Sequence, residues 1–129
     1  MSNYFYTKIV DVNFEAAVDL VYETLEIHGF YIQTEIDIQK AFKDKLDINY
    51  KKYKILGAMH PVYFAKALNI DDKIGLLFPL NFTVQEHQNG NVEVSAISTR
   101  SVLDSAEIDD VNDMAAQIEF MINDIIEKI

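Results

Sequence analysis

Three histidines, at 28, 60 and 87, and no cysteine limit the nucleophilic and metal chemistry open to this 129-residue chain. Without a thiol there is no cysteine nucleophile, no thiolate metal site and no disulfide. His60 is the best placed of the three, because it stands before Pro61 where a strand gives way to a helix, at the N-cap position. A general base or a metal ligand needs a partner group within reach, and none stands at a recognisable spacing from His60. Its reading is therefore structural. His28 reads as a surface residue at a helix end, where a cation suits the dipole, and His87 adjoins a hairpin loop.

The remaining signatures are equally spare. The acidic pairs Asp71-Asp72 and Asp109-Asp110 fall at a turn and at a helix start, where carboxylates favour the local electrostatics. Nothing sets two acids across one cleft, as glycoside hydrolysis requires. Glycines at 29, 57, 75 and 90 are too scattered for a phosphate loop or a dinucleotide fingerprint. No Gly-x-Ser-x-Gly elbow or His-Glu-x-x-His motif occurs. Positive charge concentrates in Lys40, Lys43, Lys45, Lys51, Lys52 and Lys54. A solvated face offsetting local acidity is the simpler reading, with an anion site as the alternative. No catalytic residue, metal site or cofactor is expected.

Composition narrows the partners. Twenty-one acidic against 11 basic residues give a net charge of −10, which argues against nucleic acid and anionic membrane. No apolar run approaches the roughly 20 residues of a membrane span; the longest, Ile74 to Leu80, is broken by Gly75 and Pro79. Met1 to Val10 lacks a basic segment leading into a long apolar one, so a cytoplasmic protein is expected. The length suits one domain over 1–129, and half the residues are hydrophobic, enough for a core without staples.

The elements that would position these residues follow from periodicity. Tyr4 to Val10 suits a first strand, with Phe5, Thr7 and Ile9 on one face and Tyr4, Tyr6 and Lys8 on the other. Asn13 offers an N-cap to a helix whose stripe is Phe14, Ala17, Val18, Val21, Tyr22 and Leu25, and Gly29 ends it. Phe30 to Ile38 alternates as a second strand, and a short helical turn is expected over Ala41 to Leu46. Tyr53 to Met59 is the third strand. Pro61 opens a short helix over Val62 to Leu68 that turns Phe64, Ala67 and Leu68 inward. Asp71 to Gly75 is a turn, and Pro79 leads into the fourth strand.

The hairpin that follows has its register written in its side chains. A two-residue Asn89-Gly90 turn would set Val84 opposite Ser95 and Glu86 opposite Glu93. A three-residue loop, Gln88-Asn89-Gly90, pairs Val84 with Val94 and Phe82 with Ala96 instead. Leu80, Phe82, Val84, Val92, Val94 and Ala96 then form one apolar face, and Asn81, Thr83, Gln85, Glu93 and Ser95 a wet one. Asp104 with Glu107 resembles a capping box for one last helix. It would carry Ile108, Val111, Ala115, Ile118, Ile122, Ile125 and Ile129, across a sheet rather than along a coiled-coil seam. The order is strand, helix, strand, strand, short helix, strand, strand, helix. One-sided elements of this kind predict an α+β fold of two layers, an antiparallel sheet with helices on one face.

Three stretches carry a family resemblance: Ile55-Leu56-Gly57-Ala58-Met59-His60-Pro61, Ile74-Gly75-Leu76-Leu77-Phe78-Pro79-Leu80-Asn81, and Val92-Glu93-Val94-Ser95-Ala96-Ile97. Their order and spacing resemble the domain-of-unknown-function family 302 over nearly the whole chain. The resemblance implies a two-layer fold similar to the TATA-binding-protein-like class, and no activity. Many members read Gly-Ala-Cys-Asn-Pro and Pro-Cys-Asn where this chain has Met59-His60 and Leu80. Thiol chemistry at those positions is closed here, and Met59 with His60 gives a soft metal such as Cu(I) only two ligands.

Three functional readings remain. The first is a non-catalytic module that binds a small molecule between sheet and helices, near Met59, His60, Pro61, Phe78, Pro79, Leu80 and Asn81. The second is a homodimeric interaction module that uses the wet sheet face or the last helix. The third, and least favoured, is an enzyme using His60 and Asn81.

Overall fold

The structure, a computed structural model, describes residues 4–106, 108 and 111–129. Five strands form one antiparallel sheet in the order β1-β5-β4-β3-β2, with β1 Phe5–Val10, β2 Tyr31–Asp37, β3 Tyr53–Met59, β4 Leu80–Glu86 and β5 Val92–Ile97. The helices are α1 Phe14–Ile27, α2 Ile38–Leu46, α3 Pro61–Ile70, α4 Thr99–Ala106 and α5 Asn112–Lys128, with a 3-10 turn over Ile74–Leu77. The two-layer α+β arrangement is the expected one.

Each boundary has a local cause. Asn13 Oδ1 accepts from the Ala16 N–H at 2.8 Å and starts α1. Gly29 ends it at φ +85°, a conformation that costs a residue without a Cβ little. Asp37 accepts from the Lys40 N–H at 3.0 Å, so the chain turns helical at Ile38 and β2 stops one residue sooner than its alternation predicts. A bulge between Ile32 and Thr34 interrupts that alternation. Pro61 takes the first position of α3, where a missing N–H costs nothing.

The register of β4 and β5 is the one the side chains dictate. Phe82 faces Ala96 and Val84 faces Val94, and the loop is closed by Gly90 N–H to His87 O at 2.9 Å and His87 N–H to Asn91 O at 2.8 Å. Gly90 lies at φ +88°, as the bulge position of a three-residue loop demands. The core is Leu56, Ala58, Leu80, Phe82, Val84, Val92, Val94 and Ala96 from the sheet, packed on α1 through Val21 and Leu25 and on α5 through Ile118, Ile122 and Ile125. Tyr22, placed on the buried stripe by periodicity, is 36% exposed, and its hydroxyl donates to Glu35 at 2.6 Å.

The carboxyl-terminal third differs from the single expected helix. Two helices stand there, because Ser98 Oγ accepts from the Ser101 N–H at 3.3 Å and starts α4 at Thr99. Asp104 is thus inside α4, and its supposed capping partner Glu107, like the Asp109-Asp110 pair, lies outside the described residues. Ile108 and Val111 precede α5 rather than belonging to it. A carboxylate joins the pieces: Glu119 on α5 accepts from Tyr6 Oη at 2.7 Å, from Ser98 Oγ at 2.6 Å and from the Arg100 N–H at 3.2 Å. Burial, with the Glu119 carboxylate beside it, pushes the Tyr6 hydroxyl up to about 12.

Candidate functional site

Because strands alternate, helices on one face leave the other face bare. Its side chains fall into rows across the sheet: Thr7, Ser95, Thr83, Ile55 and Ile36 in one, Ile9, Glu93, Gln85 and Tyr53 in a second, and the neighbours Gly57 and Thr34 beside Asn81 in a third. Among the described residues, Glu93 is the one charged side chain that the strands turn to this face. Ile9 and Ile36 are about half exposed, at 53% and 47%.

In the middle of the face lies a trough of about 340 Å³. Tyr4, Phe5 and Ile97 form one end and Tyr53, Gln85 and Glu93 the other, with Asn81, Thr83 and Ser95 between them. Glu93 is already engaged. Its carboxylate accepts from His87 Nε2 at 2.7 Å, from Thr7 Oγ1 at 2.9 Å and from Ser95 Oγ at 3.2 Å. The His87 bond leads in holding its pKa below the ordinary carboxylate range. Gln85 Oε1 accepts from Lys51 Nζ at 2.6 Å, and that ammonium sits 6.0 Å from the Tyr53 ring centre. The side chains of Asn81 and Thr83 make no hydrogen bond to another described residue.

The seven residues expected from sequence are divided by the sheet. Asn81 lines the trough. Met59, also on the bare side, is 9% exposed and accepts a long contact of 3.8 Å from Tyr31 Oη. Pro79 packs where a Gly57 side chain would otherwise stand. Leu80 is in the core at 2% exposure. Met59 and Leu80, the two positions that the sequence resemblance sets against cysteines, therefore turn to opposite sides, since Leu80 faces Ala58 one step earlier in β3. Phe78 stacks on Phe64 with ring centres 5.0 Å apart, and Pro61 is exposed at the start of α3.

His60 holds structure together. Its ring sits edge-on to Phe30 at 5.1 Å and tilted on Tyr63 at 4.7 Å. Nδ1 faces the Tyr63 N–H across 3.5 Å as the cap of α3. Burial lowers its pKa, which keeps the imidazole neutral near pH 7. Asn81 opens on the bare face, away from the Phe30 side of the sheet where His60 packs.

His28 is not the surface residue its position suggests. Its side chain is 13% exposed, with Nε2 2.8 Å from Asp124 on α5 and Nδ1 2.8 Å from Thr24 O. Four of the six clustered lysines meet carboxylates, Lys40 with Asp44, Lys43 with Asp47, Lys52 with Glu15 and Lys54 with Glu35, while Lys51 donates to Gln85. Among the described residues no three His, Asp or Glu side chains gather to hold a metal ion, and no helix is long and apolar enough to cross a membrane.

The model of the family described as domain of unknown function DUF302 matches residues 6–129. The chain belongs to that family. Its fold is similar to the crystal structure of the uncharacterized conserved protein DUF302 from Bacillus stearothermophilus, with a TM-score of 0.91 over 98% of each chain at 18% identity. No curated protein matches the chain. The DUF302 fold thus accounts for the whole sheet and its helical cover.

The trough residues escaped sequence reading for a definite reason. The polar half, Asn81, Thr83, Gln85, Glu93 and Ser95, was legible as the wet face of the hairpin. Tyr4, Phe5 and Tyr53 join it only through the pairing of β1 with β5 and of β3 with β4, which no local pattern specifies.

Proposed function

We propose that this chain is a non-catalytic binding module whose ligand lies in the trough on the bare face of the sheet. The observation that carries this reading is the pair of unengaged polar groups, the Asn81 amide and the Thr83 hydroxyl, set between the aromatic ends Phe5 and Tyr53. Apolar walls with a few convergent hydrogen-bonding groups are the usual makeup of small-molecule sites, and about 340 Å³ falls at the small end of their roughly 300–1,000 Å³ range. The trough's one acid is satisfied by His87, Thr7 and Ser95, so an uncharged ligand suits it better than a cation. A small planar molecule bearing an amide or hydroxyl group fits this chemistry.

Native mass spectrometry of gently purified protein, repeated after denaturation, tests for a retained ligand. Titration of ¹⁵N-labelled protein with benzamide tests the site. The expected result is shift changes at Asn81, Thr83 and Ser95 that Asn81→Ala weakens several-fold. A bare native mass, together with benzamide shifts that miss these three residues, would sink the reading.

A further inference from the structure

We infer that a second copy of this chain packs on the bare sheet face and turns the trough from an open groove into an enclosed chamber. The ligand consequence rests on the binding reading above; the pairing itself stands on charge and area.

Charge comes first. The protein carries −10, and two copies repel wherever their acids approach. Four of those acids lie on α1 (Glu15, Asp19, Glu23, Glu26) and four on α5 (Asp113, Glu119, Asp124, Glu127), both on the covered side of the sheet. Packing bare face to bare face sends both helical layers outward. Stacked sheets lie about 10 Å apart and each helical layer adds about 10 Å more, so the acidic layers stand about 30 Å apart, against a Debye length of about 8 Å. A cationic partner would be drawn to the helical side instead, since the bare face shows two charges, Glu93 and the Lys51 ammonium beside Tyr53, and both are engaged.

Area comes second. Five strands spaced at about 4.8 Å, with six or seven residues each rising about 3.4 Å, span about 24 by 20 Å, or about 480 Å² in projection. Side-chain relief from Phe5, Ile9, Tyr31, Ile36 and Tyr53 brings the accessible area toward the roughly 800 Å² per partner of a standard interface. The central strand is β4, so a two-fold axis near Thr83 sets like rows against like rows. The partner's Tyr53, on β3, then lies over β5 and roofs the trough. Without that roof the floor groups Asn81 and Thr83 compete with bulk water for any ligand.

Sedimentation velocity of the wild-type protein over a wide concentration range should approach twice 14.8 kDa. Thr83→Arg, which sets like cations against each other across the two-fold axis, and Ile9→Arg, which puts a long charged side chain into the packed face, should shift the species to monomer, with circular dichroism melts showing that each variant remains folded. Phe120→Arg, on the 74% exposed face of α5, should remain a dimer. Asn81→Ala should weaken benzamide binding and leave the mass unchanged, which separates loss of the ligand from loss of the pairing. A wild-type monomer at every concentration overturns the inference. So does a folded Thr83→Arg or Ile9→Arg that stays dimeric, or a dimer that Phe120→Arg breaks.

Discussion

Replacing Gly57 by Ala should destabilise the protein through crowding, although its backbone conformation is open to any residue. A Cβ at this position would run into Thr34 Oγ1 and come within 2.6 Å of Pro79 Cγ. The two neighbours belong to different parts of the chain, one in β2 and one at the start of β4, so relieving both requires the sheet to spread. Overpacking costs about 1–3 kcal/mol, and two obstacles place Gly57→Ala at about 2–3 kcal/mol within that range. An unfolding entropy of about 2.1 cal/mol/K per residue gives about 270 cal/mol/K for a chain of this length, so Tm should fall by about 7–11 °C. Circular dichroism melts with a check of refolding measure this directly. Thr34→Ala in the Gly57→Ala background should recover part of the loss by removing the nearer obstacle. Gly75→Ala is the control, since a Cβ there meets only Leu68 at an ordinary 3.8 Å. The sign decides the matter. Where Ala fits, loss of unfolded-state freedom stabilises by about 0.4–1 kcal/mol, so a Gly57→Ala protein that melts at or above wild type would refute the crowding argument.

Other perturbations separate other causes. Gly90 has open space around it but sits at φ +88°, so Gly90→Val should cost about 2 kcal/mol through strain alone, and an unchanged Tm would mean the loop is built otherwise. Burial holds the folded-state pKa of His60 below its unfolded value of about 6.5, so the unfolded chain binds the extra proton first and stability falls as pH drops from about 6.5 through the folded value. His60→Asn keeps a capping residue and should flatten the change in Tm between pH 7.5 and pH 5; an equal slope in both proteins would place the proton elsewhere. Glu119→Ala leaves the nearly buried Ser98 hydroxyl and the Tyr6 hydroxyl without their acceptor and should cost about 1–3 kcal/mol in urea unfolding, with a loss below 0.5 kcal/mol counting against the clasp.

What the sequence revealed tracks how local each cause is. Asn13, Gly29, Pro61 and Gly90 each act within a few residues, and each stands where its chemistry placed it. The hairpin register was equally readable, because a one-residue slip would have sent Val84 and Val94 to water. The single expected helix was misread because Asp104 and Glu107 look like a cap, while Ser98, which starts α4, follows β5 directly and gains its third partner from Glu119, 21 residues away. α5 begins after Val111 without a side-chain cap. His28 was misplaced for a similar reason, since its partner Asp124 is 96 residues distant. The site near Met59 to Asn81 combined residues adjacent in sequence, whereas pleating distributes them to both sides of the sheet. A trough built from four strands has no signature in any one of them.

The pairing of β1 has a consequence for how the chain acquires its shape. Phe5 to Val10 pair only with β5, from Ile97 back to Val92, and Lys8 bonds to carbonyls of Glu127 and Ile129. β1 therefore waits for β5, more than 80 residues later, before it has a neighbour. During synthesis it emerges as an unpaired β-branched and aromatic strand, while β2, β3 and β4 can already zip together as they appear. Closing so long a loop is slow and leaves an adhesive edge waiting. Nascent chains stalled before Val92 should thus be the form of this protein most in need of a chaperone.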